Sequence, residues 1–230
     1  MSQPLQGRVA LVTGAGKNIG RAIALALARD GATVLVNGRK DRAAVDSVVK
    51  EIAAAGGKAE AAMGDVSDPA AAPRLAKQGE ALGGVDILVS NAGLRRQTAF
   101  LDMSFEEWRE IMSVALDGAF LLGKAFVPKM VAKGKGGAFV AMSGVSTHVG
   151  TLNRCHVSAS TSGLEGLMRG LARALAPHKI TCNAVAPGAI DTARAANAGP
   201  RPIQGRPIPL GRLGQVEEIA AMVRLLVGPE

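Results

Sequence analysis

Tyrosine is absent from all 230 residues, and the aromatic share is 3%, five Phe and one Trp. Chemistry that needs a phenol as acid or base is thereby excluded. Cysteine is scarce too. Cys155 and Cys182 are too few and too far apart for a disulfide framework, and with no activating neighbour in sequence both are expected to pack as small apolar residues. The three histidines, His148, His156 and His178, lack metal-ligand spacing, so no metal is expected. No uninterrupted apolar run approaches a membrane span, and the opening MSQPLQGR has no apolar signal core, which predicts a cytoplasmic protein without a membrane partner.

What is present describes a globular chain. Hydrophobic residues make up 48%, charged residues 20%, and the mean hydropathy is +0.20, enough for one sizeable core. Lys plus Arg outnumber Asp plus Glu by 27 to 19, a net charge of +8, and 17 of the cations are Arg. That balance suits anionic small-molecule ligands. The basic residues are dispersed, and Lys133 to Lys135 reads as a solvated loop, so no nucleic-acid partner is expected.

Strand and helix patterns alternate along the chain. Arg8 to Thr13, Ala32 to Asn37, Lys58 to Met63, Val85 to Ser90, Gly137 to Met142 and Ile180 to Val185 read as strands. Helical stretches fill the gaps: Asn18 to Asp30, one ending at Ala55, one ending at Leu82, Ser104 to Lys133, Thr151 to Ala176 and a last one over Val216 to Val227. Ser104 with Glu107 three residues on predicts a capping box. Alternation of this kind predicts an α/β, doubly wound parallel sheet with helices on both faces, as one domain over residues 1–230. The long irregular stretch Gly188 to Arg212 is the candidate substrate lid.

Between the first strand and first helix stands TGAGKNIG, Thr13 to Gly20. Glycines there allow a tight turn and bring a pyrophosphate close to the free N–H groups of a helix start. GDV follows at Gly64 to Val66, SNAG at Ser90 to Gly93, PGAIDT at Pro187 to Thr192 and PLGRLGQVEEIA at Pro209 to Ala220. Together these segments resemble the short-chain dehydrogenase/reductase family, in its 3-oxoacyl-acyl-carrier-protein reductase-like form, from residue 6 to the end. The resemblance implies a Rossmann-type fold. It assigns cofactor contacts to Gly14, Gly16, Lys17, Asn18, Ile19, Gly20, Asn37, Arg39, Asp65, Val66, Asn91, Ala92, Gly93, Pro187, Gly188, Ile190 and Thr192.

Three departures qualify that likeness. Asn18 takes the place of the loop's middle glycine, and Asn tolerates positive φ best after Gly. The second strand ends Asn37, Gly38, Arg39 with no carboxylate to bind a ribose 2′-OH, while Lys17 and Arg39 supply positive charge. NADP(H) is therefore favoured over NAD(H). The family's seventh strand and its VDGG-type ending are not in this sequence, which leaves two expectations open: a truncated molecule, or a sheet that lacks its last strand.

The family's carbonyl chemistry uses an Asn, a Ser, a Tyr and a Lys, the last two one helical turn apart. Alignment through SASTSGLEGL, Ser158 to Leu167, places Val157 at the Tyr position, Thr161 at the Lys position, Gly144 at the Ser position and Ala115 at the Asn position. No shift of register restores the set, because Lys is absent between Lys135 and Lys179. Substrate candidates are Arg95 and Arg96 after SNAG, Arg154, and Ser146 in the loop after the fifth strand; for the arginines a solvated surface role stays open. Adjacent helical positions diverge by about 100°, so His156 is expected to turn away from the Val157 face as a surface or subunit-contact residue. Two readings remain: an NADP(H)-binding enzyme with non-classical hydride transfer or non-redox chemistry, and a pseudo-enzyme acting as nucleotide sensor or oligomer partner. The two long helices are the expected contact of a homo-oligomer, dimer or tetramer.

Overall fold

The computed structural model describes residues 3–193 and 207–229. Strands β1 (Val9–Val12), β2 (Thr33–Gly38), β3 (Lys58–Met63), β4 (Ile87–Ser90), β5 (Gly137–Met142) and β6 (Ile180–Val185) form one parallel sheet in the order β3-β2-β1-β4-β5-β6. Helices α1 (Asn18–Arg29), α2 (Arg42–Ala54), α3 (Ala71–Ala81), α4 (Phe105–Met112), α5 (Gly118–Lys133), α6 (Ser146–Val149), α7 (Cys155–Leu175) and α8 (Val216–Val227) connect and flank them. Strand order reverses between β1 and β4, and such a switch point opens a crevice at the carboxyl ends of the strands.

Period-two alternation divides the strands between two cores. Ala10, Val12, Ile87, Val89 and Val140 face α1, α2 and α8, whereas Leu11, Leu88 and Phe139 face the layer containing α3, α5 and α7. Phe126 and Phe139 are fully buried in the second core, each contributing about 1.5–3 kcal/mol of apolar burial. At the far end of the first core, the Arg224 guanidinium clamps Asp30 through bonds of 2.6 and 2.7 Å, fixing α8 against the end of α1.

The Ser104-to-Lys133 expectation holds in extent but not in regularity. One π-helical turn, Ser113–Asp117, separates α4 from α5; such turns widen a helix locally and cluster at functional sites. By length and composition the Phe105–Lys133 helix is apolar enough to cross a membrane, yet half of its apolar 18-residue stretch is buried inside this fold. The expected helix from Thr151 starts four residues late, at Cys155, because Asn153 sits in the left-handed region at φ 58° and breaks the helical path. Cys155, expected to be packed, is exposed at that start. Cys182 is buried, and burial pushes its thiol up to about 11.

Candidate functional site

The Gly-rich loop owes its shape to positions where a side chain has no room or the backbone turns left. Gly14 has φ 61°, and a Cβ on Gly20 would stand 2.4 Å from the Gly14 carbonyl oxygen and 2.5 Å from Asn91 Nδ2. Asn18 adopts φ 52°, the conformation expected of a glycine substitute. Lys17, extended and exposed, occupies the N-cap position of α1 without a side-chain bond to the helix start.

Thr13 and Asn91 lock this loop to the segment after β4. The Asn91 and Ala92 N–H groups donate to Thr13 Oγ1 at 2.9 and 3.0 Å, while Asn91 Nδ2 donates to the Thr13 and Gly14 carbonyls at 2.8 and 3.2 Å. Asn37, fully buried, braces the floor. Its Nδ2 donates to the Ala62 and Gly64 carbonyls, and its carbonyl accepts the Ala15 N–H at 2.8 Å. The amide of Asn37 is thus committed to the scaffold.

Asp65 accepts from the Ser67 hydroxyl at 2.6 Å and lies 3.7 Å from Arg39. Burial raises its pKa, but the Ser67 bonds and the charges of Arg39 and Lys40 bring it net below the ordinary carboxylate value. Space stays open beside the loop backbones: a Cβ added to Gly93 or Gly188 meets nothing within 4 Å. A helix start with free N–H groups, glycine-lined walls and cations at Lys17 and Arg39 fit a dinucleotide. Beyond Gly188, Ile190 bridges to Gly214, and Thr192 is buried. Much of the lid expected over Gly188 to Arg212 falls at 194–206, outside the described residues.

The four positions aligned with the catalytic set lie in the π turn, in the loop after β5 and on α7. Ala115 lies within the π turn, buried, and a Cβ on Gly163 of α7 would stand 2.8 Å from Leu116 of that turn. Val157 and Thr161 occupy one buried face of α7. Thr161 Oγ1 donates to the Val157 carbonyl at 2.8 Å and lies 2.9 Å from Thr147 Oγ1, three residues past Gly144. From Thr147 the polar cluster continues through Ser143, whose hydroxyl donates to Glu165 at 2.7 Å, to His148, 3.1 Å from the same carboxylate oxygen. The loop hydroxyls of Ser143 and Thr147 are readable in the sequence as turn formers, but their links to Thr161, Glu165 and His148 carry no periodic signal.

His156 is placed differently from its expectation as a surface residue. It is fully buried, and its Nε2 meets Glu107 Oε1 at 3.1 Å. Glu107 also accepts the Thr98 hydroxyl at 2.6 Å. Only half of the expected capping box therefore forms: Ser104 Oγ accepts from the Glu107 N–H, but the Glu107 carboxylate turns inward to Thr98 and His156. The Thr98 bond holds the Glu107 carboxyl below its usual range against burial, while burial pushes His156 down against the Glu107 bond. Arg154 is buried beside this pair, Arg96 is paired with Glu110 at 2.6 Å, and Arg95 is exposed. Among the described residues, no cluster of His, Cys, Asp and Glu is arranged to hold a metal.

The short chain dehydrogenase family model matches residues 8–202. The chain is 40% identical over 223 residues to a 3-oxoacyl-[acyl-carrier-protein] reductase of Synechocystis, covering 96% of this chain and 90% of that one. It is 40% identical over 227 residues to an L-rhamnose 1-dehydrogenase (NAD(P)(+)) of Sphingomonas, covering 96% and 89%. Among solved structures, acetoin dehydrogenase YohF from Salmonella typhimurium superposes with a TM-score of 0.88 at 35% identity, covering 96% and 89%. A short-chain type dehydrogenase/reductase from Mycobacterium marinum gives 0.88 at 36%, covering 98% and 90%. The chain belongs to the short chain dehydrogenase family, whose members are oxidoreductases using NAD(P) cofactors.

Proposed function

We propose that this chain binds NADP(H) in the crevice between β1 and β4 and reduces a small, activated carbonyl compound without a phenol acid. The observation that carries the reading is the interlocked Thr13–Asn91 loop, beside which this reading sets a wall built from Ala115, Gly144, Val157 and Thr161. When bound, the reduced nicotinamide supplies a hydride. The chain's own contribution is to hold the cofactor, exclude water with the buried Ala115 and Val157, and orient the substrate; positioning of this kind is worth about 7–11 kcal/mol.

The names of the relatives support interconversion of a hydroxyl and a carbonyl as the reaction class. Lys17 and Arg39 supply charge for a 2′-phosphate, and Arg95, exposed after SNAG, is the rim cation for an anionic substrate group. Phe105 and Phe120, 71% and 52% exposed on the long helix, support a homo-oligomer packed through the two long helices. A cytoplasmic location belongs to the same reading.

Calorimetric titration with NADPH and NADH, followed by turnover on a carbonyl panel, tests the proposal. Micromolar NADPH binding, weaker NADH binding and slow NADPH oxidation with an activated ketone are expected. Tight NADPH binding without turnover on any carbonyl would replace the enzyme reading with that of a nucleotide-binding sensor. Failure to bind either nucleotide would remove both.

A further inference from the structure

We infer that the Ser146 hydroxyl is the hydrogen-bond donor to the substrate carbonyl oxygen, serving from two residues downstream the place that Gly144 leaves without a side chain. The inference rests on the NADP(H)-dependent carbonyl reading above. A Cβ built on Gly144 has one neighbour within 4 Å, and that neighbour is Ser146 Oγ at 3.7 Å. A hydroxyl carried by residue 144 and the hydroxyl of Ser146 therefore serve the same small volume at the carboxyl end of β5.

The surrounding hydroxyls are already engaged. Ser143 donates to Glu165, Thr147 and Thr161 bond each other, and Ser158 donates to the Ser146 carbonyl at 3.4 Å. Ser146 Oγ has no hydrogen-bond partner among the described residues; the residue is half-buried, and its hydroxyl keeps a solvent-accessible side. Its proton is free to be directed at a ligand.

The backbone around it is held from several sides. Ser143 N–H donates to the Val185 carbonyl at 2.7 Å, Val145 N–H to Pro187 at 3.0 Å and Thr147 N–H to Gly144 at 3.0 Å. The Gly150 N–H closes the turn on the Ser146 carbonyl at 3.0 Å. These bonds tie the Ser146 segment to Pro187, at the head of the loop that borders the crevice. A donor fixed before the substrate arrives needs no reorganisation when charge develops on the carbonyl oxygen, which is the condition for strong electrostatic stabilisation. Ser146 forms no bond to carbon in this role. It donates a hydrogen bond, and the proton finally added to the product oxygen comes from water.

The test compares the wild-type chain, Ser146→Ala, and Ser146→Ala combined with Gly144→Ser. NADPH and NADP+ affinity are measured by calorimetry, the carbonyl stretch of 2,3-butanedione in the NADP+ complex by infrared difference spectroscopy, and NADPH oxidation with the same diketone by absorbance. We expect all three proteins to bind nucleotide alike. Ser146→Ala should lose the lowered carbonyl frequency of the bound diketone and about 10²–10³-fold in rate, and Gly144→Ser should restore the frequency shift and at least part of the rate. An Ser146→Ala protein that keeps both the shift and the rate overturns the inference. A loss that Gly144→Ser does not repair also overturns it, by assigning Ser146 a structural role. Nucleotide binding without any shift or turnover in the wild-type chain overturns it as well. Absence of nucleotide binding removes the cofactor reading, and the Ser146 inference falls with it.

Discussion

Asn18 and Ala193, 175 positions apart, exchange two hydrogen bonds: Asn18 Nδ2 donates to the Ala193 carbonyl at 2.8 Å, and the Ala193 N–H donates to Asn18 Oδ1 at 3.0 Å. The residue that replaces a glycine in the phosphate loop thus keeps the left-handed backbone and gains a clasp on the segment after Thr192. These contributions separate experimentally. Asn18→Gly retains φ 52° and loses the clasp, whereas Asn18→Ala loses the clasp and meets a left-handed penalty of about 1–2 kcal/mol. Urea denaturation should rank stability as wild type, then Gly, then Ala. An Ala variant as stable as the Gly variant would show that backbone handedness does not govern this position.

Gly20 offers a sharper case of steric necessity. Its added Cβ would overlap the Gly14 carbonyl oxygen at 2.4 Å and Asn91 Nδ2 at 2.5 Å, both parts of the Thr13–Asn91 lock. Gly20→Ala is expected to cost about 1–3 kcal/mol through overpacking and to weaken NADPH at least tenfold, because the displaced Gly14 carbonyl belongs to the proposed cofactor loop. Denaturant unfolding and calorimetry on the same preparation give both quantities. Unchanged NADPH affinity would mean that the cofactor does not rely on this loop.

The elements legible in the sequence are those whose signal is local. Gly137–Met142, Ile180–Val185 and Val216–Val227 are observed with the boundaries expected from β-branched runs, bounding glycines and helical periodicity. The positive φ of Asn18 was equally readable, since the position demanded a glycine substitute. What the sequence hid depends on distant partners. Ser104 and Glu107 carry the spacing of a capping box, but Thr98 and His156 compete for the Glu107 carboxylate. The π turn at Ser113–Asp117 leaves no compositional mark, and Asn153 breaks the start of α7 through a backbone angle that neighbouring residues do not announce.

Acid sensitivity should trace to that hidden pair. Burial lowers the folded-state pKa of His156 from its ordinary 6.5, so the folded protein binds fewer protons there than the unfolded chain. Stability from this group is complete above pH 6.5 and is lost as the pH falls below it. Glu107, held below its ordinary 4.5, adds a loss of the same sign only at lower pH. Thermal unfolding followed from pH 7.5 to 5 should show a falling midpoint in the wild-type chain and a flatter profile in His156→Gln. Equal slopes in the two proteins would assign the acid sensitivity to other groups.

A gain of activity is the most demanding test of the alignment around Gly144 and α7. Ala115→Asn, Gly144→Ser, Val157→Tyr and Thr161→Lys together would supply a water-holding amide, a hydroxyl, a phenol and the ammonium that lowers its pKa. Gly144 has room for the serine Cβ, whose single near neighbour is the Ser146 hydroxyl at 3.7 Å. Thr161→Lys removes the 2.9 Å bond to Thr147, which frees the face of α7 that the lysine must use. General acid catalysis contributes about 10²–10⁴-fold, so the quadruple variant should reduce a simple ketone with NADPH at least 10²-fold faster than the wild-type chain. A folded, NADPH-binding quadruple variant that stays inert would mean that these four positions do not surround the reacting carbon, and the catalytic wall would have to be sought elsewhere along the crevice.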